Sequence, residues 1–210
     1  DKRRYWTCNV REKMDINIGE SWPSSLKPIT VMEQFKSTMY KHGSHCAFKF
    51  KKNGMWHGIS WKNYYELTRQ FAKSLISVGL DEFHGVTIQG FNSPEWIIAN
   101  MGSIFAKGIP AGIYPTNGIE STQYIVEHCK TQVIVLENNH HLDKYLAMDT
   151  SKFNNLVCII MWGEDPKIKE FEICKQKKEE IVQEVEETQK DNNGEDNNGE
   201  DNNEEEDNNE

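Results

Sequence analysis

GVTIQGFNSPEWIIANMGSIFAKGIPAGIYPTNG, residues 85–118, reads as strand, helix, strand. Val86 to Gly90 is a short apolar run, Ser93-Pro94-Glu95 opens a helix, and Ile109 to Tyr114 is a second short run behind Gly108. Ser93 can accept a hydrogen bond from a free amide of the first turn, Pro94 is tolerated at the first helical position, and Glu95 favours the positive end of the helix dipole. Trp96, Ile97, Ile98, Ala99, Met101, Ile104, Phe105 and Ala106 are apolar round most of the circumference, which predicts a helix largely buried against a sheet. Two strands joined by one packed helix should lie parallel with a right-handed crossover, the nucleus of an α/β fold.

Outward from this nucleus the same alternation continues. Residues 5 to 14 fit a short strand or hairpin, and Ser21 to Pro28 a connector. Thr30-Val31-Met32-Glu33 is a capping box that opens a helix to about Lys41, with Met32, Phe35 and Met39 on one face and Gly43 behind it. Cys46 to Lys51 and Met55 to Ile59 flank Lys52-Asn53-Gly54, and Asn-Gly supplies the positive φ angles of a hairpin turn. Ser60 caps a long helix through Val78 that presents Trp61, Tyr64, Leu67 or Thr68, Phe71, Leu75 and Val78, with Gly79 as its stop. A helix near Glu120 to Lys130, a strand Gln132 to Leu136, a helix His140 to Met148 and a strand Leu156 to Met161 follow. The expected fold class is α/β, three-layer, with a mainly parallel sheet and helices on both faces.

The end of the chain differs in kind. Lys167 to Lys190 is nearly all helix-former with a sparse stripe of Ile168, Phe171, Cys174, Ile181 and Val185, which reads as a solvated charged helix rather than a coiled-coil seam. Asp191 to Glu210 holds ten carboxylates and no Lys or Arg. With no apolar residue it cannot offset its ordering entropy, and disorder is expected. A calcium loop starting at Asp191 would require Gly at its sixth position, where Asp196 stands.

Charge and cysteine usage narrow the function classes. The formal net charge of −9 belongs to the acidic tail, and residues 1–190 are close to neutral. No electrostatic footprint for nucleic acid is present, and the tail would repel phosphate backbones. Cys8, Cys46, Cys129, Cys158 and Cys174 are odd in number, widely spaced and without C-x-x-C, which points to reduced thiols and a cytoplasmic setting. The apolar region around Trp96 to Ala106 is broken by Asn100, Gly102 and Ser103 and is too short to span a bilayer.

Arg4-Tyr5-Trp6-Thr7, Asn53-Gly54-Met55-Trp56, Ser60-Trp61-Lys62-Asn63-Tyr64-Tyr65, Phe83-His84-Gly85-Val86, GFNSPEW and GIYPTN follow one another in an order that resembles the N-terminal part of the long-chain fatty-acyl-CoA synthetases of the bubblegum type. The likeness runs to about Trp162. It implies an adenylate-forming, AMP-binding enzyme of α/β fold, which converts ATP, fatty acid and coenzyme A to acyl-CoA, AMP and diphosphate with Mg. The division expected on this basis is an N-terminal strand and connector (1–29), a partial AMP-binding-type domain (30–165), a charged helix (166–190) and the disordered acidic tail (191–210). Long-chain fatty acid, ATP and coenzyme A are the implied substrates. Peripheral association with an intracellular membrane, self-association and binding to a complete synthetase are the further partner expectations.

His42, His45 and Cys46 put three metal-ligand types in five residues, but no fourth ligand stands nearby and the spacing matches no common zinc site. His140, His141 and Asp143 open a predicted helix, where the Asp complements the dipole and the histidines read as ordinary surface residues. The turn Gly90-Phe91-Asn92-Ser93 follows a strand and precedes a helix, the place where α/β proteins hold phosphates. Yet Phe91, Asn92 and Pro94 stand where a close phosphate approach needs glycine, so packing and capping are the expectation. The family's phosphate chemistry implies a loop like YTSGTTGxPK and a Tyr-Gly-x-Thr-Glu block, and neither occurs in the 210 residues. No catalytic, cofactor-binding or metal-binding residue is assigned, and no cofactor is expected to be held by this chain. The reading is a truncated or fragmentary fatty-acid–CoA ligase, inactive alone. The alternatives are a noncatalytic α/β binding module and, more weakly, a nucleotide-binding module in its own right.

Overall fold

The computed structural model describes residues 6–14, 16 and 18–168. Two units divide the chain, Asp1–Lys169 and Glu170–Glu210, and the second lies outside the described residues. The charged helix and the acidic tail expected from sequence therefore fall there too.

Helix α1 (Val31–His42) starts at Thr30, whose hydroxyl accepts from the Glu33 amide while the Glu33 carboxylate accepts from the Thr30 amide, the reciprocal capping box. Strands β1 (Cys46–Lys52) and β2 (Met55–Ser60) form a separate antiparallel hairpin. Asn53 and Gly54 turn it with φ of 50° and 79°, the left-handed geometry that an Asn-Gly pair accepts at least cost. Helix α2 (Trp61–Ser77) is capped by Ser60. There follow β3 (Gly85–Gln89), α3 (Pro94–Phe105), β4 (Ile109–Ile113), α4 (Ile119–His128), β5 (Thr131–Leu136), α5 (Asn139–Leu146), a 3-10 turn (Thr150–Lys152) and β6 (Cys158–Met161).

Strands β3 to β6 form one wholly parallel sheet in the order β4-β3-β5-β6. The chain steps from β3 to β4 in one direction and from β4 to β5 in the other. With right-handed crossovers this reversal puts α3 on one face and α4 and α5 on the opposite one. The central strands are accordingly buried on both faces throughout. Toward α2 and α3 lie Val86, Ile88, Val133 and Val135, packed with Ala72, Leu75, Leu80, Ala99 and Ala106. Thr87, Gln89, Ile134 and Leu136 alternate onto the other face.

Three details differ from the sequence reading. Residues 6–14 form turns and no strand, because side chains capture the local amides: the Thr7 hydroxyl accepts from the Asn9 N–H and the Asn9 carboxamide oxygen from the Arg11 N–H. Helix α3 buries its small residues Ala99, Gly102 and Ser103 most deeply, while Trp96, Met101 and Phe105 are only half-buried. A Cβ at Gly102 would come within 2.7 Å of the Phe71 ring, so glycine sets how closely α2 and α3 approach. On α2 the buried stripe runs through Tyr64, Thr68, Ala72 and Leu75, so Thr68 is the inward member of the Leu67–Thr68 alternative, while Ala72 rather than Phe71 is buried and Val78 is exposed.

Candidate functional site

In open α/β sheets ligands sit outside the carboxyl ends of the strands, where neighbouring strands send their connections to opposite faces. Here that place lies between β3 and β5. The chain leaves β3 through Gly90 toward α3 and leaves β5 through Glu137 toward α5, and Gln89, Gly90, Glu137 and Trp162 converge on it.

Backbone and side chain join the two loops. The Glu137 N–H donates to the Gln89 carbonyl at 3.1 Å, and the Phe91 N–H donates to the Glu137 carboxylate at 2.8 Å. The loop behind β6 is tied to the same residue, since the Gly163 N–H donates to the Glu137 carbonyl at 2.8 Å. A Cβ at Gly90 would lie 2.6 Å from the Trp162 indole, so that ring covers the turn. The Ser93 hydroxyl accepts from the Trp96 N–H at 3.1 Å and caps α3. Around this turn the Trp162 indole and the Glu137 side chain pack against Gly90 while Ser93 caps the helix. In this arrangement the Phe91 amide, which would have to donate to a phosphate held at this turn, donates to the Glu137 carboxylate instead.

His141 lies one turn into α5, with Nε2 3.8 Å from the Glu137 carboxylate. It is 3 % exposed, not a surface residue as its sequence context suggested. Helix α5 begins one residue earlier than predicted, at Asn139, with Asn138 as its cap, and its inward face carries His141, Leu142 and Tyr145. Desolvation lowers the His141 pKa and the Lys144 ammonium acts in the same direction, with Glu137 opposing them and His140 adding slightly. The same shift of register takes Asp143 out of the first turn, where it forms an ion pair with Lys167. Lys144 instead reaches back to the carbonyls of Pro115 and Asn117, at 2.7 and 2.9 Å, and holds the loop behind β4. Gln89 donates to the Tyr114 carbonyl at 3.2 Å from the centre of the sheet.

The rings of His42 and His45 stack with centroids 5.3 Å apart, whereas the Cys46 thiol turns to the Phe48 carbonyl. Among the described residues no three His, Cys, Asp or Glu side chains come together as a metal site would require. Nor is any described helix long and apolar enough to cross a membrane. A second concavity of about 590 Å³ lies beside α1, with apolar walls that include Ile29, Val31, Phe35, Trp61 and Met101.

Sequence reasoning missed Glu137, His141 and Lys144 as partners of the switch region. A polar residue directly behind the apolar strand VIVL was the available signal, since such a position opens the carboxyl end of a sheet.

Comparisons with known proteins agree with this architecture. The chain is 38% identical over 166 residues to long-chain-fatty-acid–CoA ligase ACSBG2 of Xenopus laevis, which covers 79% of this chain and 22% of the relative. It is 36% identical over 159 residues to the human ACSBG2, covering 76% and 24%, and 35% identical over 161 residues to the human ACSBG1, covering 77% and 22%. The chain therefore spans less than a quarter of the length of these relatives. Among solved structures, coronafacic acid ligase from Pectobacterium brasiliense superposes with a TM-score of 0.57 at 14% identity, over 68% of this chain and 27% of that one. A fatty acyl CoA synthetase of Mycobacterium tuberculosis gives 0.54 at 10% identity, over 66% and 30%. At these identities the likeness is one of fold. The profile of the family described as AMP-binding enzyme matches residues 35–208. By that match, and in keeping with its resemblance to bubblegum-type acyl-CoA synthetases, the chain belongs to the AMP-binding enzyme family.

Proposed function

We propose that this polypeptide is the α/β scaffold of a long-chain fatty-acid–CoA ligase and that, alone, it does not make acyl-CoA. The observation that carries this reading is the Phe91–Glu137 hydrogen bond at the carboxyl end of the sheet. Adenylation places charge on a transferring phosphoryl group, and its rate depends on donors and cations aimed at that charge. In this chain the exposed amide behind β3 is committed to a carboxylate, and the nearest cation on α5, Lys144, is committed to two carbonyls. On this reading the donors and cations that adenylation needs are not supplied by Phe91 and Lys144 at the switch region. The setting we propose is cytoplasmic.

Incubating the pure chain with labelled ATP, magnesium, palmitate and coenzyme A tests this directly. We expect no palmitoyl-adenylate and no AMP release above a protein-free control. Turnover above that control would refute the reading.

A second reading, a noncatalytic module that associates with itself or with a complete synthetase, is favoured by the exposed aromatic rings of Phe91 and Tyr114 beside the same switch region. Large exposed apolar groups at one place mark surfaces that a partner covers. Sedimentation separates the two readings: a monomer that does not co-sediment with a full-length ligase removes the second and leaves the first.

A further inference from the structure

Between Glu33 and Glu66 the chain carries Lys36, Lys41, Lys49, Lys51, Lys52 and Lys62 and not one carboxylate, although its formal net charge is −9. Three of these lysines lie on the β1–β2 hairpin. In its register Lys51 pairs with Trp56 and Lys49 with Gly58, and directly opposed residues project from the same face. One face of the ribbon therefore carries Lys49, Lys51 and Trp56 together.

The opposite face is turned to the body. Phe48 meets Tyr64 edge to face at 5.2 Å, and Phe50 stacks on His57 at 5.5 Å. That packing fixes the hairpin and leaves the Lys-Trp face outward. Trp56 is 70% exposed, and Met55 beside it at the turn 63%. Among the described residues no ion pair engages Lys49, Lys51 or Lys52.

We propose that this face of the hairpin is a docking surface for an anionic lipid bilayer. Charge complementarity selects the occupant: lysines near a surface of acidic lipid are each drawn to it, while a Trp ring settles at the level of the headgroups. The stems of Lys49 and Lys51 can lie along the acyl boundary beside the Trp56 ring while their ammonium groups stay in water; Lys52 and Met55, paired at the tip, alternate to the other side of the ribbon. An acyl boundary gives the exposed Trp56 ring and the lysine stems an apolar partner, which a duplex phosphate backbone does not. The surface is independent of the ligase reading, because lipid binding needs neither nucleotide nor the switch region.

The test is co-sedimentation of the 210-residue chain with phosphatidylcholine vesicles that contain about 30 mol % phosphatidylserine, to give the negative surface potential. Binding is expected to these vesicles, not to phosphatidylcholine alone, and should fall away at about 0.5 M salt, where screening is short-ranged. The triple variant K49Q/K51Q/K52Q should bind at least about tenfold more weakly. Trp56→Ala should weaken binding and abolish the quenching of tryptophan emission by brominated lipid. These side chains are exposed, and far-UV circular dichroism checks that each variant keeps its fold. Failure of the unsubstituted chain to bind, or equal binding by the triple variant, would overturn the proposal. So would binding of soluble polyglutamate through the same lysines without vesicle binding, which would assign the face to an acidic protein.

Discussion

The backbone N–H of Phe91 donates to the carboxylate of Glu137 across 2.8 Å, so the loop leaving β3 is held by the first residue beyond β5. A hydrogen bond to a charged group contributes about 1.5–3 kcal/mol, and somewhat less where, as at the exposed Phe91 amide, water can replace the lost acceptor. Glu137→Ala should destabilise the chain by about 1–3 kcal/mol, and Glu137→Gln, which keeps an acceptor, by less. Urea unfolding followed by tryptophan fluorescence measures both, and a Glu137→Ala variant as stable as the unsubstituted chain would show that this bond is unimportant.

Two glycines should respond in opposite senses to an added side chain. At Gly85 a Cβ would stand 2.4 Å from the Cys129 carbonyl oxygen, a backbone atom that cannot rotate away. Gly85→Ala should cost about 1–3 kcal/mol as the start of β3 is pushed from the end of α4. Gly118 has open space at its Cβ and caps α4 with φ of −71° and no side-chain hydrogen bond. Gly118→Ser should stabilise the chain by a few tenths of a kcal/mol. Thermal melts of the two variants should shift in opposite directions.

Phe35 is the most heavily engaged ring of α1. It lies 5.9 Å from Trp61, 4.6 Å from Tyr64, 5.5 Å from Tyr65 and 5.7 Å from Phe105, and is itself 5% exposed. Phe35→Ala should cost about 3–5 kcal/mol, whereas Met32→Ala, at an exposed position on the same helix, should cost under about 1 kcal/mol. Comparable losses in denaturant would mean that α1 is held by something other than this aromatic cluster.

His141 makes stability depend on pH. Its folded pKa is lowered from the ordinary histidine value of 6.5, chiefly by desolvation. Above that value neither state binds the proton and the full contribution of the neutral ring is present. As pH falls below it, the unfolded chain takes up a proton that the folded chain refuses, so stability declines until the folded pKa is reached. The unsubstituted chain should therefore lose stability between pH 7.5 and the folded value more steeply than His141→Gln. Denaturation midpoints that fall in parallel for the two proteins would contradict this.

The layered sheet was legible because VTIQG, IPAGIY and VIVL are separated by helical stretches with strong caps, and local rules decide each of these. Thr30, Ser60 and Ser93 all serve as the caps their contexts suggest. The switch region was much less legible. Phe91 meets Glu137, and Lys144 meets Pro115, only after the strands have been ordered, and strand order depends on long-range pairing that no local pattern reports. His141 was misjudged because it shares the inward face of α5 with Leu142 and Tyr145, and which face of a helix turns inward is set by packing on the sheet. Residues 6–14 failed differently: Thr7 and Asn9 offered the backbone a local alternative to a strand.

The strand order β4-β3-β5-β6 also constrains the sequence of events during synthesis. Val86 in β3 pairs with Pro110 on one side and with Val133 on the other. As the chain emerges from a ribosome, β3, α3 and β4 can associate first, but β3 then shows one unpaired ladder to the cell until β5 has been made. The interior strand of the finished sheet is, for the time it takes to translate α4, an edge. A pause in translation before Thr131 would prolong that exposure, whereas one after Met161 would find the ladder already closed.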